Sequence, residues 1–245
     1  MGKRILIAAP VHASEIMFQE YLNSLNHLII PEDCEVEKFF ILHNSSDLKK
    51  YLKENEYIEI NNNIKVTKEV NLIKNWDKNC LNFVARMRSY LLNYASQNNF
   101  DYLFTVDSDI LLHPKTLVQL LSDDKAIVGN MIWTKMGSEI SAICGEKENW
   151  SAYTNNSFLT KPGLYPIGWT CACVLINSKI FNNPNINYIP IPGVDNTECE
   201  DYAFCLKILC NYPEEKVWID THYTARHLYH EKDLERWLKE KKQYE

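Results

Sequence analysis

Residues 103–113 read LFTVDSDILLH: an apolar run, two aspartates one residue apart, then apolar residues again. The run predicts a buried strand that ends at Val106. Extended backbone continued past that point would put Asp107 and Asp109 on one side and Ser108 on the other. Two carboxylates facing the same way repel unless they share a proton or hold a cation between them. All-oxygen ligands on an open edge suit Mg²⁺ or Mn²⁺. The plainer alternative makes Asp109 the start of the helix that follows His113-Pro114, with Asp107 a turn residue.

The surrounding chain supplies the context. Short apolar runs at 4–9, 38–42, 102–106, 126–129 and 171–176 predict strands. Residues 77–97 place Cys80, Val84, Met87, Leu91 and Tyr94 at helical spacing on one face. Arg86 and Arg88 on that helix point about 200° apart, so only one of them can face a given phosphate. Strands alternating with helices through residue 120 predict a parallel α/β sheet. Further elements are expected as a helix from Glu200 to Asn211, a strand at 217–219 and an amphipathic end helix from Lys232. Residues 133–168, rich in Gly, Ser, Asn and aromatics, read as loops and small strands around a site. Ligands of open α/β sheets gather at the carboxyl ends of the strands. Pro10-Val11-His12, Asn44–Asp47 and Asp107–Asp109 all fall there.

Composition narrows the function. The chain has 245 residues and a net charge of −6, so general electrostatic binding of nucleic acid is excluded. No stretch approaches about 18 uninterrupted apolar residues, which predicts a cytoplasmic chain without a membrane span. The Met-Gly start lacks the Ser or Thr of a myristoylation signal. The eight cysteines lack zinc-site spacing and read as reduced thiols, mostly in apolar surroundings. No dinucleotide, Walker A or nucleophile-elbow motif is present.

FDYLFTVDSDILLHPKTLVQLL (100–121) resembles the DxD segment of GT-A glycosyltransferases, especially family-2-like enzymes. IGWTCACVLINSKIF (167–181) is similar to their acceptor-side strand and turn. ECEDYAFCLKILCNYPEEKVWIDTHYTARHLYH (198–230) is similar to their ED–helix–strand–His ending. The resemblance implies a Rossmann-like, mostly parallel GT-A sheet flanked by helices. It implies one domain over 1–245: a nucleotide-binding half (1–130), an acceptor-binding half (131–230) and a C-terminal helix (231–245).

It also implies roles. Asp109 and His227 would bind Mn²⁺ or Mg²⁺, while Asp107 would contact the ion through water, or the ribose. His222 and His230 compete with His227 for the histidine role. Asp201, ahead of Glu200, would be the general base of an inverting transfer from a nucleotide sugar, UDP before GDP, to a hydroxyl of a glycan, lipid or protein. Pro10, Val11, His12, Asp47, Ser108 and Arg86, preferred over Arg88, would line the nucleotide-sugar site. Gly168 and Trp169 would meet the acceptor, Trp169 either by stacking on a sugar or as core. Taken without the resemblance, Glu200 and Asp201 cap a helix start. Two rival readings are a non-catalytic nucleotide-sugar-binding module of the same fold and a haloacid-dehalogenase-like phosphatase. The second is disfavoured by Leu111, where that motif has Thr or Val, and by the motif's late position.

Overall fold

Five consecutive buried residues, Ile5 to Ala9, give the first strand no solvent face. Such a run belongs at the centre of a sheet covered on both sides. A computed structural model describes residues 2–64, 78–136, 139–147, 151–154, 158–197, 199–228 and 231–241. Its strands are β1 (Lys3–Val11), β2 (Cys34–His43), β3 (Tyr57–Ile60), β4 (Tyr102–Val106), β5 (Ile110–Leu111) and β6 (Ile127–Met136). They continue with β7 (Glu139–Gly145), β8 (Ala152–Thr154), β9 (Leu164–Ile167), β10 (Trp169–Thr170), β11 (Cys173–Asn177) and β12 (Val217–His227). The helices are α1 (Glu15–Asn26), α2 (Lys78–Gln97), α3 (Thr116–Ser122), α4 (Ser178–Phe181), α5 (Glu200–Asn211) and α6 (Glu231–Lys241).

All twelve strands join one sheet, with the path β10-β7-β6-β11-β4-β1-β2-β3. The stretch β4-β1-β2-β3 is parallel, so Val11, His43 and Val106 end at the same edge. β11 then runs antiparallel between β4 and β6, and β12 lies parallel beside β6. Parallel pairing thus dominates the first half and antiparallel pairing the second. Residues 133–168 form more strand than expected where they are described, because β6 continues to Met136 and hairpins into β7. β11 starts at Cys173, later than expected, because Ala172 takes φ 62°, a left-handed conformation that interrupts a strand.

Two cores sandwich the sheet. α2, α4 and α5 cover one face, packing Val84, Leu91, Phe181 and Phe204 on Leu6, Ile41 and Leu103. α1 and α3 cover the other, with Phe18, Leu25, Leu117 and Leu120 on Ile7, Phe40 and Val128. The helical face expected on α2 is buried except at Tyr94, which is half-buried and stacks on Phe39 at 4.0 Å. Asp77, the expected start of α2, lies outside the described residues. No helix among the described residues is long and apolar enough to cross a membrane.

One buried contact fixes the end of β4. The Tyr21 hydroxyl on α1 donates to the Val106 carbonyl at 2.7 Å. Tyr21→Phe would leave that carbonyl buried without its donor, at a cost of about 1–2 kcal/mol. Thermal unfolding should show a Tm lower by about 4 °C; an unchanged Tm would mean that the carbonyl finds another partner.

Candidate active site

The two aspartates have different partners, although the charge of Asp109 still acts on Asp107. The Asp107 amide donates to Ala172 O at 2.7 Å and the Ile110 amide to Asp107 O at 3.0 Å, so the chain turns as soon as β4 ends. The extended-backbone expectation fails at this turn, which sends the two carboxylates to different partners.

Asp107 faces α2. Both of its carboxylate oxygens accept from Arg88 Nη2 at 2.9 Å. The same guanidinium places Nε 3.6 Å from Glu200 Oε1 and Nη1 4.0 Å from Asp201 Oδ1. Arg88, Glu200 and Asp201 are 6%, 4% and 7% exposed. One buried cation therefore serves three acids. Arg86, preferred from the sequence, is exposed, and Arg88 is the arginine that reaches the carboxylates. Helical spacing separates the two arginines but does not determine which one faces inward.

A single positive charge cannot keep three carboxylates, two of them buried and Asp107 partly exposed, ionised at no cost. Burial raises the Asp107 carboxyl to about 6, against the opposing pull of Arg88. Burial likewise raises Glu200 and Asp201, again opposed by Arg88. The Cys171 thiol, close enough to Asp201 to favour its ionised form, donates to the Ile143 carbonyl at 3.7 Å. Tyr188 braces the guanidinium: its ring lies 5.7 Å from Arg88 Cζ and stacks on Phe204 at 4.1 Å. Neither Cys171 nor Tyr188 carries a sequence signal beyond apolar surroundings.

Asp109 meets β12. Its Oδ2 lies 3.5 Å from His227 Nε2, and the Leu228 amide donates to Asp109 O at 2.7 Å. Thr134 Oγ1 on β6 lies 2.9 Å from His227 Nδ1 and fixes the ring so that Nε2 meets the carboxylate. A histidine held through one nitrogen, with the other beside a carboxylate oxygen, is the usual preparation of a metal ligand pair. Asp109 and His227 therefore fit a divalent ion. Asp107 already has Arg88 as its counter-charge. His222 is committed elsewhere, with Nδ1 2.6 Å from Asp220 Oδ2, and His230 lies outside the described residues. Cys199, Glu200 and Asp201 also bring ligand atoms within 4.8 Å of one another, but Arg88 supplies positive charge there.

The remaining candidates divide. Pro10 and His12 are half-buried at the strand edge, with the His12 ring 5.8 Å from that of His43. The Val11 side chain is 0% exposed, so it belongs to the core and offers no side-chain contact to a nucleotide. Asp47 is exposed on the turn after β2, and Ser108 is buried within its own turn. Trp169 is 6% exposed and packs on Tyr202 at 4.6 Å, which makes its ring core. Gly168 passes so close to Lys147 that a Cβ would stand 2.4 Å from that backbone.

Residues 32–230 match the glycosyltransferase family 25, N-terminal domain. The chain belongs to that family. It is 22% identical over 235 residues to procollagen galactosyltransferase 1-A of Xenopus laevis, which covers 88% of this chain and 38% of that protein. The family 25 chain thus spans well under half of this relative. Its fold is similar to a crystal structure of GalNAc-T7 with UDP, GalNAc and Mn²⁺: TM-score 0.51 and 12% identity over 92% of this chain and 43% of the other. The expected GT-A glycosyltransferase fold is the one found, and the family is the glycosyltransferase family 25 domain.

The buried acids make a linkage prediction for this family 25 chain. The carboxyl of Asp201 is raised from its ordinary 3.8, so its neutral form is preferred in the fold. Its stabilising share is complete below the unfolded value and is lost as pH climbs through the folded one. Asp201→Asn removes that loss. The Tm of the variant minus that of the wild type should grow from pH 4 to pH 7.5, and a constant difference would show that Asp201 titrates normally.

Proposed function

We propose that this chain is a glycosyltransferase that moves a sugar from a UDP-sugar to a hydroxyl acceptor with inversion. The observation that carries the reading is the pairing of Asp109 with His227 at the strand edge, beside the carboxylates gathered on Arg88. Family membership and the GT-A fold support nucleotide-sugar chemistry. Galactose is the first sugar to test and a protein hydroxyl the first acceptor, because of the name of the Xenopus relative. The layout supports assigning 1–130 to the donor, 131–230 to the acceptor and the C-terminal segment to packing. Trp237 of α6 donates to Glu20 of α1 at 2.7 Å.

Asp109 and His227 would hold Mn²⁺ or Mg²⁺. Such an ion, when bound, neutralises charge developing on a departing diphosphate. Asp107, steered by Arg88, faces the same rim and would meet the ribose or ion-bound water. Pro10, His12 and Asp47 mark the side from which the base and ribose would approach.

Asp201 would take the proton of the acceptor hydroxyl as oxygen attacks the anomeric carbon. An ordinary aspartate, with pKa near 4, is a poor base at neutral pH. Burial makes Asp201 a stronger one, and Arg88 holds enough of it ionised to act. Glu200, on the same guanidinium, shares that charge.

The test is UDP release from UDP-sugars with Mn²⁺, without and with acceptor hydroxyls. Asp109→Ala and His227→Ala should each lower turnover by about 10²-fold or more. Undiminished turnover in Asp109→Ala would remove the ion site, and metal-dependent UDP binding with no turnover would make the chain a binding module. Arg88 gives a separate readout. In Arg88→Met the rising limb of kcat/KM should move to higher pH, because Asp201 loses the charge that favours its ionised form, and Arg88→Lys should restore it in part. A limb that stays in place would detach Arg88 from the base.

A further inference from the structure

Away from these residues, α3 packs on β6 and β12, and the face it covers holds a second polar cluster. Asp220 on β12 is 0% exposed. Its carboxylate accepts from the His222 amide at 2.9 Å and from Gln119 Nε2 at 3.4 Å, and lies 2.6 Å from His222 Nδ1. Gln119 Nε2 also donates to Asp123 Oδ1 at 3.1 Å, so one amide group serves two carboxylates. The other oxygen of Asp123 is buried with no hydrogen-bond partner. Burial, then the charge of Asp220, raises the Asp123 carboxyl to about 6, with His222 and Lys125 pulling it down.

Asn130 points to a ligand. β6 and β12 are parallel here with Asn130 opposite Asp220, so the two side chains leave the sheet on the same face. Asn130 is 2% exposed, and neither its Oδ1 nor its Nδ2 has a partner. Native interiors rarely leave a whole amide unsatisfied, and a bound ion or water is the common partner of such a group. The available donors are oxygens, and two of the groups are acids. That set suits a hard cation. His222, turned onto Asp220 through Nδ1, would orient that carboxylate.

We propose that Asp123, Asp220 and the amide oxygen of Asn130 form a structural site for a hard divalent cation, with bound water meeting Asn130 Nδ2. The ion would replace the Gln119 amide as the link between the two carboxylates. It joins α3, which follows the Asp107–Asp109 turn, to β12, which leads to His227. Neither the site nor its test depends on the glycosyltransferase reading.

The experiment uses the Asp109→Asn protein, which lacks a ligand of the proposed active-site ion, without nucleotide. Thermal unfolding is followed with CaCl₂ or MgCl₂ against NaCl of equal ionic strength. A divalent-specific rise in Tm of about 5 °C near saturation is expected. Adding Asp123→Asn, a half-buried and tolerant position, should abolish the rise, and so should adding Asn130→Leu, which fills the space without an oxygen. No divalent-specific rise in Asp109→Asn would mean that water alone sits there and would overturn the site. A rise that survives Asp123→Asn or Asn130→Leu would place the ion elsewhere and would overturn it equally.

Discussion

A single buried guanidinium organises the carboxyl edge of this sheet. Arg88 stands between Asp107 at the end of β4 and Glu200-Asp201 at the start of α5, and among the described residues no other cation shares its set of ion pairs. Removing one partner from a buried pair of this kind costs about 3–5 kcal/mol, because the others are left uncompensated. The arrangement therefore links α2, the end of β4 and α5 through one side chain. Burial, and to a lesser degree the neighbouring acids, raises the carboxyl pKa values against the opposing pull of Arg88.

The turn at Asp107 gives the second half of the design. Had β4 continued, the two aspartates would face one ligand together. The hydrogen bonds to Ala172 and from Ile110 separate them, leaving Asp107 to the arginine and Asp109 to His227. Ala172 accepts a left-handed backbone to offer its carbonyl there. Local strain of this kind persists only where its surroundings enforce it, and here they include Cys171, whose thiol donates to the Ile143 carbonyl.

Much of this was legible in the sequence, because apolar runs and helical spacing report burial directly. The strand before Asp107, the face of α2 and the span Glu200–Asn211 follow from periodicity. The pairing of Asp109 with a late histidine came from the resemblance of whole blocks, since nothing local distinguishes His227 from His222. Less visible were features set by a few dihedral angles or by distant packing. Periodicity places Arg86 and Arg88 on different faces but does not identify the buried one, which Tyr188 and Glu200 decide from 100 residues or more away. Val11 and Trp169 read as site residues because of their neighbours, while burial makes their side chains core. The turn after Val106 rests on the Ala172 carbonyl, a contact no sequence spacing announces.

The central claim is a division of labour: Arg88 balances the acids around Asp201, while Asp109 and His227 receive the divalent ion. Anomalous diffraction at the manganese edge, from crystals soaked with MnCl₂ and UDP, addresses it directly. The account predicts a peak bonded to Asp109 and His227, with Arg88 still engaging Asp107. A peak among Cys199, Glu200 and Asp201 with the guanidinium displaced, or none beside Asp109, would contradict it.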